Sequence, residues 1–244
     1  MRTELIRVDD IGASQGEAMI TLFNEHFESV SREQFQEDLN EKGWTVLITS
    51  DEGELCGFTT LDIYDVNVGE KTVSVVFSGD TIVDQSARGS FVLSSGWIGS
   101  VNYLRRELGK DRLWWLLIVS GYRTYRFLPT FWNKLWPCHS EPTPAYEQSL
   151  MCALAEDRFG EAFDSNCGIV HPGHPQVLRA GLRGIPESRM CNPYVAFFAE
   201  RNPGHARGDE LVCLTELAEE NLTRAGRRMW DAGEKLFAAQ GALP

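Results

Sequence analysis

The hydrophobic rhythm of the chain changes sharply within one stretch, Thr72 to Leu108. Thr72 to Phe77 is rich in β-branched residues, Gly79 interrupts the run, and Thr81, Ile82 and Val83 resume it, which predicts a strand. Asp84 to Ser90 then turns the chain through Gly89. Beyond the turn Val92, Leu93, Trp97, Ile98, Val101, Leu104 and Leu108 recur at three- and four-residue steps, the spacing of a helix packed along one face. A strand that enters a helix through a glycine turn leaves the first helical amides without backbone partners. It aims them, with the positive end of the helix dipole, at whatever sits above the turn. Such a seat suits a phosphate, although any α/β protein has a step of this kind.

The elements before this stretch extend it into a fold. Met1 to Val8 is predicted as a first strand, and Gly16 to Val30 as a helix striped by Ala18, Met19, Leu22, Phe23 and Phe27. Ser31 is a good N-cap for a second helix that runs to about Glu41, because its hydroxyl can satisfy an amide of the first turn. Gly43 ends that helix. Trp44 to Thr49 and Leu55 to Tyr64 read as two strands joined at Asp51-Glu52-Gly53, a hairpin.

Ile82-Val83-Asp84 followed by Ala87-Arg88-Gly89 resembles the core of the GNAT superfamily of acyltransferases, and the order of elements agrees with the first half of that fold. The resemblance implies an α/β (α+β) architecture: a mixed, mostly antiparallel sheet flanked by helices. It also implies an acyltransferase whose co-substrate is acetyl-CoA or another acyl-CoA. On the family's pattern, strand amides near Ile82 and Val83 would polarise the thioester carbonyl, and the turn amides of Arg88, Gly89 and Ser90 would hold the pyrophosphate. The match departs at two positions. Ser86 stands where Gln or Arg is usual, and Phe91 where Gly or Ala is usual, so that a benzyl group would enter the space the pyrophosphate uses.

Arg112 to Val119 is short and nearly all apolar, as expected of a central strand covered on both faces. In the family the equivalent strand splays from its neighbour, and the acyl-pantetheine arm lies in the gap. Tyr125 is the residue most similar to the family's tyrosine that protonates the leaving thiolate, with Tyr122 as substitute. The competing role is an aromatic that anchors a helix to the core. Asp80, just before the thioester site, is the candidate proton acceptor for an attacking amine or hydroxyl, or else caps a bulge at Gly79.

Residues 1–137 are read as the acyl-CoA-binding core, and residues 138–244 as a C-terminal α/β extension that packs on it and shapes the acceptor pocket. Within the extension, Thr143 to Phe159 and Asn192 to Glu200 are expected helices, Phe163 to Val170 and Glu210 to Leu214 strands, and Glu216 to Ala239 a final helix. The polar loop Asn202 to Asp209 holds more turn formers and charge than a simple connection requires. It is read either as a solvated loop or as part of an active site. Aromatics in this half suggest a sizeable or apolar acceptor or acyl chain, as in secondary-metabolite pathways.

Lys+Arg 23 against Asp+Glu 35 gives a net charge of −12, which argues against general nucleic-acid binding. Arg105, Arg106, Lys110 and Arg112, with Arg123 and Arg126, form a local basic set. They either meet the adenosine phosphate or an acyl carrier protein, or simply complement a helix C-terminus. No apolar run is long enough to cross a bilayer and the first residues lack a signal-peptide core, so a cytoplasmic protein is expected. The six cysteines contain no C-x-x-C pair and are read as buried thiols. Cys167, His171 and His174 are close enough in sequence to ligate a metal, but no fourth ligand stands at a recognisable spacing and no metal is expected. The expected partner is a small-molecule acceptor, with a homodimer admitted and neither nucleic acid nor membrane involved. The competing classes are a binding or scaffold protein on the same frame, and an acyltransferase fed by carrier-protein thioesters.

Overall fold

The computed structural model describes residues 1–28, 30–84, 87 and 91–238. Its strands are β1 (Arg2–Arg7), β2 (Phe27–Glu28), β3 (Trp44–Thr49), β4 (Leu55–Val68), β5 (Lys71–Val83), β6 (Trp114–Val119), β7 (Phe163–Asp164), β8 (Ile169–Val170), β9 (Val177–Leu178) and β10 (Glu210–Glu216). Its helices are α1 (Ala13–His26), α2 (Arg32–Asn40), α3 (Val92–Glu107), α4 (Tyr122–Tyr125), α5 (Phe127–Phe131), α6 (Ala145–Phe159), α7 (Ala180–Arg183), α8 (Pro193–Arg201) and α9 (Arg224–Ala238). The expected class is borne out: one eight-stranded sheet in the order β1-β3-β4-β5-β6-β10-β8-β7 carries helices on both faces. Every pairing in it is antiparallel except that of β5 with β6.

Alternation sorts the side chains of the central strands between two cores. On β6, Trp115, Leu117 and Val119 face the core under α3, α5, α8 and α9, while Trp114, Leu116 and Ile118 face the one under α6. Leu211 and Cys213 on β10 take the first side, and Val212 and Leu214 the second. A third core gathers Met19, Phe23, Phe35 and Leu39 of α1 and α2 against Leu47, Phe58 and Ile82 of the sheet. Ser31 caps α2 as expected, accepting from the Gln34 amide at 3.0 Å.

Several elements differ from expectation. α1 ends at His26, with Phe27–Glu28 a strand where the helix was expected to continue to Val30, and β4 runs on to Val68 rather than ending at Tyr64. Phe163 to Val170 is a hairpin rather than one strand, because Asp164 accepts the Asn166 amide at 2.9 Å and Gly168 takes a φ of 75° to close the turn. The last helix starts at Arg224, eight positions later than expected. Leu217 stays on the sheet through an amide bond to the Leu113 carbonyl at 2.8 Å, and the Thr223 hydroxyl accepts from the Gly226 amide at 3.1 Å to begin the helix there.

The change of region at residue 137 leaves the sheet unbroken. β10 pairs with β6 from Leu211↔Val119 to Glu216↔Trp114, and α9 crosses α3 so closely that a Cβ on Gly99 would lie 2.2 Å from the Gly233 Cα.

Candidate functional site

The site begins with a mismatch of register. β4 and β5 pair Leu61↔Ser78 and Thr59↔Thr81, so that Gly79 and Asp80 together oppose Thr60. This is a β-bulge, and it bends β5. Gly79 is required because Lys42 and Thr60 press on it: a Cβ would lie 2.6 Å from Thr60 Oγ1 and 2.8 Å from Lys42 Cε. On the other edge of β5, parallel pairing with β6 runs only from Val75↔Trp114 to Ser78↔Leu117. Beyond Ser78 the two strands part, and among the described residues the β6-side backbone edge from Gly79 to Ile82 has no strand partner.

Two cavities meet at this fork, sharing Phe27, Ser78, Thr81, Leu117, Ser120 and Thr124 in their walls. The smaller, about 280 Å³, is apolar and runs between Ile82, Val83 and Leu93 on one side and Tyr122, Phe127 and Leu178 on the other. Trp97 and Trp115 form its floor, their rings 4.0 Å apart between centroids. Trp115 Nε1 donates to Ser78 Oγ at 2.8 Å, whereas the buried Nε1 of Trp97 has no hydrogen-bond partner. Tyr122 is buried here under the Arg123 guanidinium, 4.8 Å from its ring centroid. The channel roof is a strap: β2 pairs with β9, and Arg179 donates to the Asn24 carbonyl at 2.6 and 2.8 Å.

The larger cavity, about 770 Å³, is acidic. Asp38, Glu41, Asp62, Asp80, Asp157 and Glu210 line it against the cations Lys42 and Arg158. Both cations are held by the wall. Lys42 Nζ donates to the Asp38 carbonyl at 2.9 Å, and the Arg158 guanidinium sits 3.7 Å from the Phe77 ring centroid. Burial lowers the Lys42 pKa, and Arg158 lowers it further, against the attraction of Asp80. Burial is also what lifts the carboxyls: Asp80 is pushed up to about 6, with Lys42 opposing and Asp38 assisting the rise. Glu210 is pushed up to about 8, with Asp80 and Asp38 adding repulsion. Gln176 donates to Asp38 Oδ2 at 3.2 Å and ties this group to the strap. Two carboxyls that bind protons near neutral pH therefore face one cavity beside the fork.

The sequence-predicted residues divide accordingly. Ile82 and Val83 line the apolar channel and Asp80 the acidic cavity. Arg88, Gly89 and Ser90 lie outside the described residues. Phe91, expected to fill the phosphate seat, is instead 63% exposed at the start of α3. Tyr125 is fully buried among Tyr194, Phe197 and Phe198, donates to the Pro137 carbonyl at 2.8 Å, and lines neither cavity. Burial raises its pKa, and its bond to Pro137 anchors α4, while Tyr122 one turn earlier lines the channel. Of residues 202–210, only Glu210 lines the acidic cavity. In the basic set, Lys110 pairs with Asp65 at 2.7 Å and Arg112 with Glu216.

Sequence reasoning missed Glu210, Asp38, Lys42 and Gln176, which come from three separate segments: the end of α2, the strap before β9 and the start of β10. The signal for Glu210 was its position as a charged first residue of an otherwise apolar strand.

No protein-family model matches the chain, and no curated protein matches it. Among solved structures it is similar to a conserved protein of unknown function from Enterococcus faecalis, named a probable N-acyltransferase. The identity is 17% and the TM-score 0.40, over 54% of this chain and 33% of that one. It is also similar to the GNAT family N-acetyltransferase YhbS from Escherichia coli in complex with CoA, at 18% identity and a TM-score of 0.38, over 54% of this chain and 69% of that one. A Trypanosoma brucei acetyltransferase is similar at 17% identity and a TM-score of 0.38, over 51% of this chain and 87% of that one. The chain thus spans about a third of the length of the Enterococcus structure, 33%.

Proposed function

We propose that the chain is an acyltransferase that moves an acyl group from an acyl-CoA thioester to an amine carried by a small, positively charged acceptor. The observation that carries this reading is the fork of β5 and β6, with an apolar channel and an acidic cavity that share Ser78, Thr81, Leu117, Ser120 and Thr124. The channel suits the pantetheine arm: the β5 edge from Gly79 to Ile82, beyond its pairing with β6, offers amides to its carbonyls, and the unpartnered Trp97 indole offers one more donor. No side chain caps α3 among the described residues, and the positive end of its dipole would favour phosphate there. The acidic cavity concentrates a cation and holds its amine beside the thioester carbon.

The transfer then follows. The amine lone pair attacks the thioester carbonyl, whose developing negative charge is met by β5 amides near Ile82 and Val83. The amine proton passes to Asp80 or Glu210, directly or through water, and the carbon–sulfur bond breaks with the electron pair leaving on sulfur. Tyr122 returns a proton to that thiolate.

Calorimetric titration with acetyl-CoA, a longer acyl-CoA and free CoA tests the reading. Binding of CoA esters, followed by release of free thiol when a diamine is added, is expected. If no CoA species binds, the transferase reading is overturned.

A further inference from the structure

Away from both cavities, the β7–β8 hairpin brings together three side chains of metal-ligating chemistry. The ligand atoms of Asp164, Cys167 and His171 lie within 4.8 Å of one another. The hairpin is well pinned: Asp164 Oδ1 accepts from the amide and the side chain of Asn166 at 2.9 and 3.0 Å, and Arg201 donates to the Cys167 carbonyl at 3.0 Å. Cys167 also lines a cavity of about 460 Å³, and His171 is exposed, so an ion has a path of entry.

A separate observation concerns His171. Its Nδ1 lies 3.1 Å from Oδ1 of Asp209, which arrives from a different segment, at the foot of β10. A carboxylate on one ring nitrogen fixes the ring's orientation and tautomer and leaves the other nitrogen as a donor, which is how metal-bound histidines are supported. We infer that Asp164, Cys167 and His171 form a Zn²⁺ site, with Asp209 holding His171 and a water completing the tetrahedron. One thiolate, one imidazole and one carboxylate suit zinc's borderline softness, whereas Ca²⁺ and Mg²⁺ take oxygen sets. On binding, the Cys167 S–H bond gives its proton to solvent as the S–Zn bond forms. His174, the third residue of the sequence triple, instead lines the acidic cavity. The ion would link the hairpin to the segment that leads into Glu210, so its role is to stiffen one wall of that cavity.

The full chain, stripped with a chelator, is titrated with Zn²⁺ by calorimetry and with Co²⁺ by absorption. A single zinc per chain, a raised Tm and a thiolate-to-cobalt charge-transfer band are expected. Cys167→Ser should abolish the band, and His171→Ala, a change at an exposed position, should weaken zinc even if the cysteine variant folds poorly. Asp209→Asn should weaken zinc about 10-fold or more, and the exposed Cys191→Ser should change nothing. Failure to bind zinc stoichiometrically, or binding that survives His171→Ala unchanged, overturns the site.

Discussion

Asp80 and Glu210 carry protons in a crevice where water solvates them poorly, and that has opposite consequences for stability and for rate. Their folded pKa values, about 6 and about 8, lie above the ordinary 3.8 and 4.5. The folded state thus binds more protons than the unfolded one at neutral pH. Their contribution to stability is full below about pH 4 and is lost as pH rises through 6 and then 8. Asp80→Asn with Glu210→Gln should flatten the fall of Tm between pH 5 and pH 9 and leave the variant relatively more stable at the alkaline end, as thermal melts across pH would register. In the proposed transfer the same carboxyls accept the amine proton only when ionised, so the rate should climb over the window in which stability declines. Glu210→Gln should lower kcat about 100-fold with a smaller change in KM. The two tyrosines separate just as clearly. Tyr125→Phe strands the buried Pro137 carbonyl and should cost about 1–2 kcal/mol in chemical denaturation while turnover survives. Tyr122→Phe should slow turnover and leave stability nearly unchanged.

At the scale of elements, two close approaches hold the site in shape. The bulge at Gly79–Asp80 turns the Asp80 carboxyl into the acidic cavity, and the strands diverge immediately beyond it. On the opposite face, α3 is braced by α9 through Gly99 and Gly233, where an added Cβ would lie 2.2 or 2.0 Å from the facing Cα. Backbone cannot yield as a flexible side chain does. Gly99→Ala should therefore destabilise the fold by at least ~2 kcal/mol, read from the urea midpoint, and loosen the start of α3 where a phosphate would bind. By contrast, Gly16→Ala, which meets nothing within 4 Å, should be neutral or slightly stabilising because alanine favours a helix.

For the molecule as a whole, residues 1–137 should not fold alone. They lose β10, which covers the far edge of β6, and α9, which covers α3, leaving Trp97, Trp115 and Leu117 with one wall missing. Expression of that fragment should yield aggregated or molten protein by circular dichroism and dye binding. Periodicity in the sequence determined most of the strands and helices up to Phe159, because alternation and three-to-four spacing are local signals of which face is buried, but it missed β2, which stands where α1 was expected to continue. The sequence singled out Asp80, Ile82 and Val83 through a resemblance rather than through periodicity, and all three line the two cavities. What it could not hold was the choice between neighbouring tyrosines, decided by whether a side chain points to the channel or to Pro137. Nor could it hold the meeting of the Asp38–Lys42 pair with Gln176 and Glu210, which no local pattern links. Only the closed sheet, with β10 returning beside β6 after ninety intervening positions, brings those residues to one cavity, and the burial that results is what moves the proton affinities of the charged ones toward neutral.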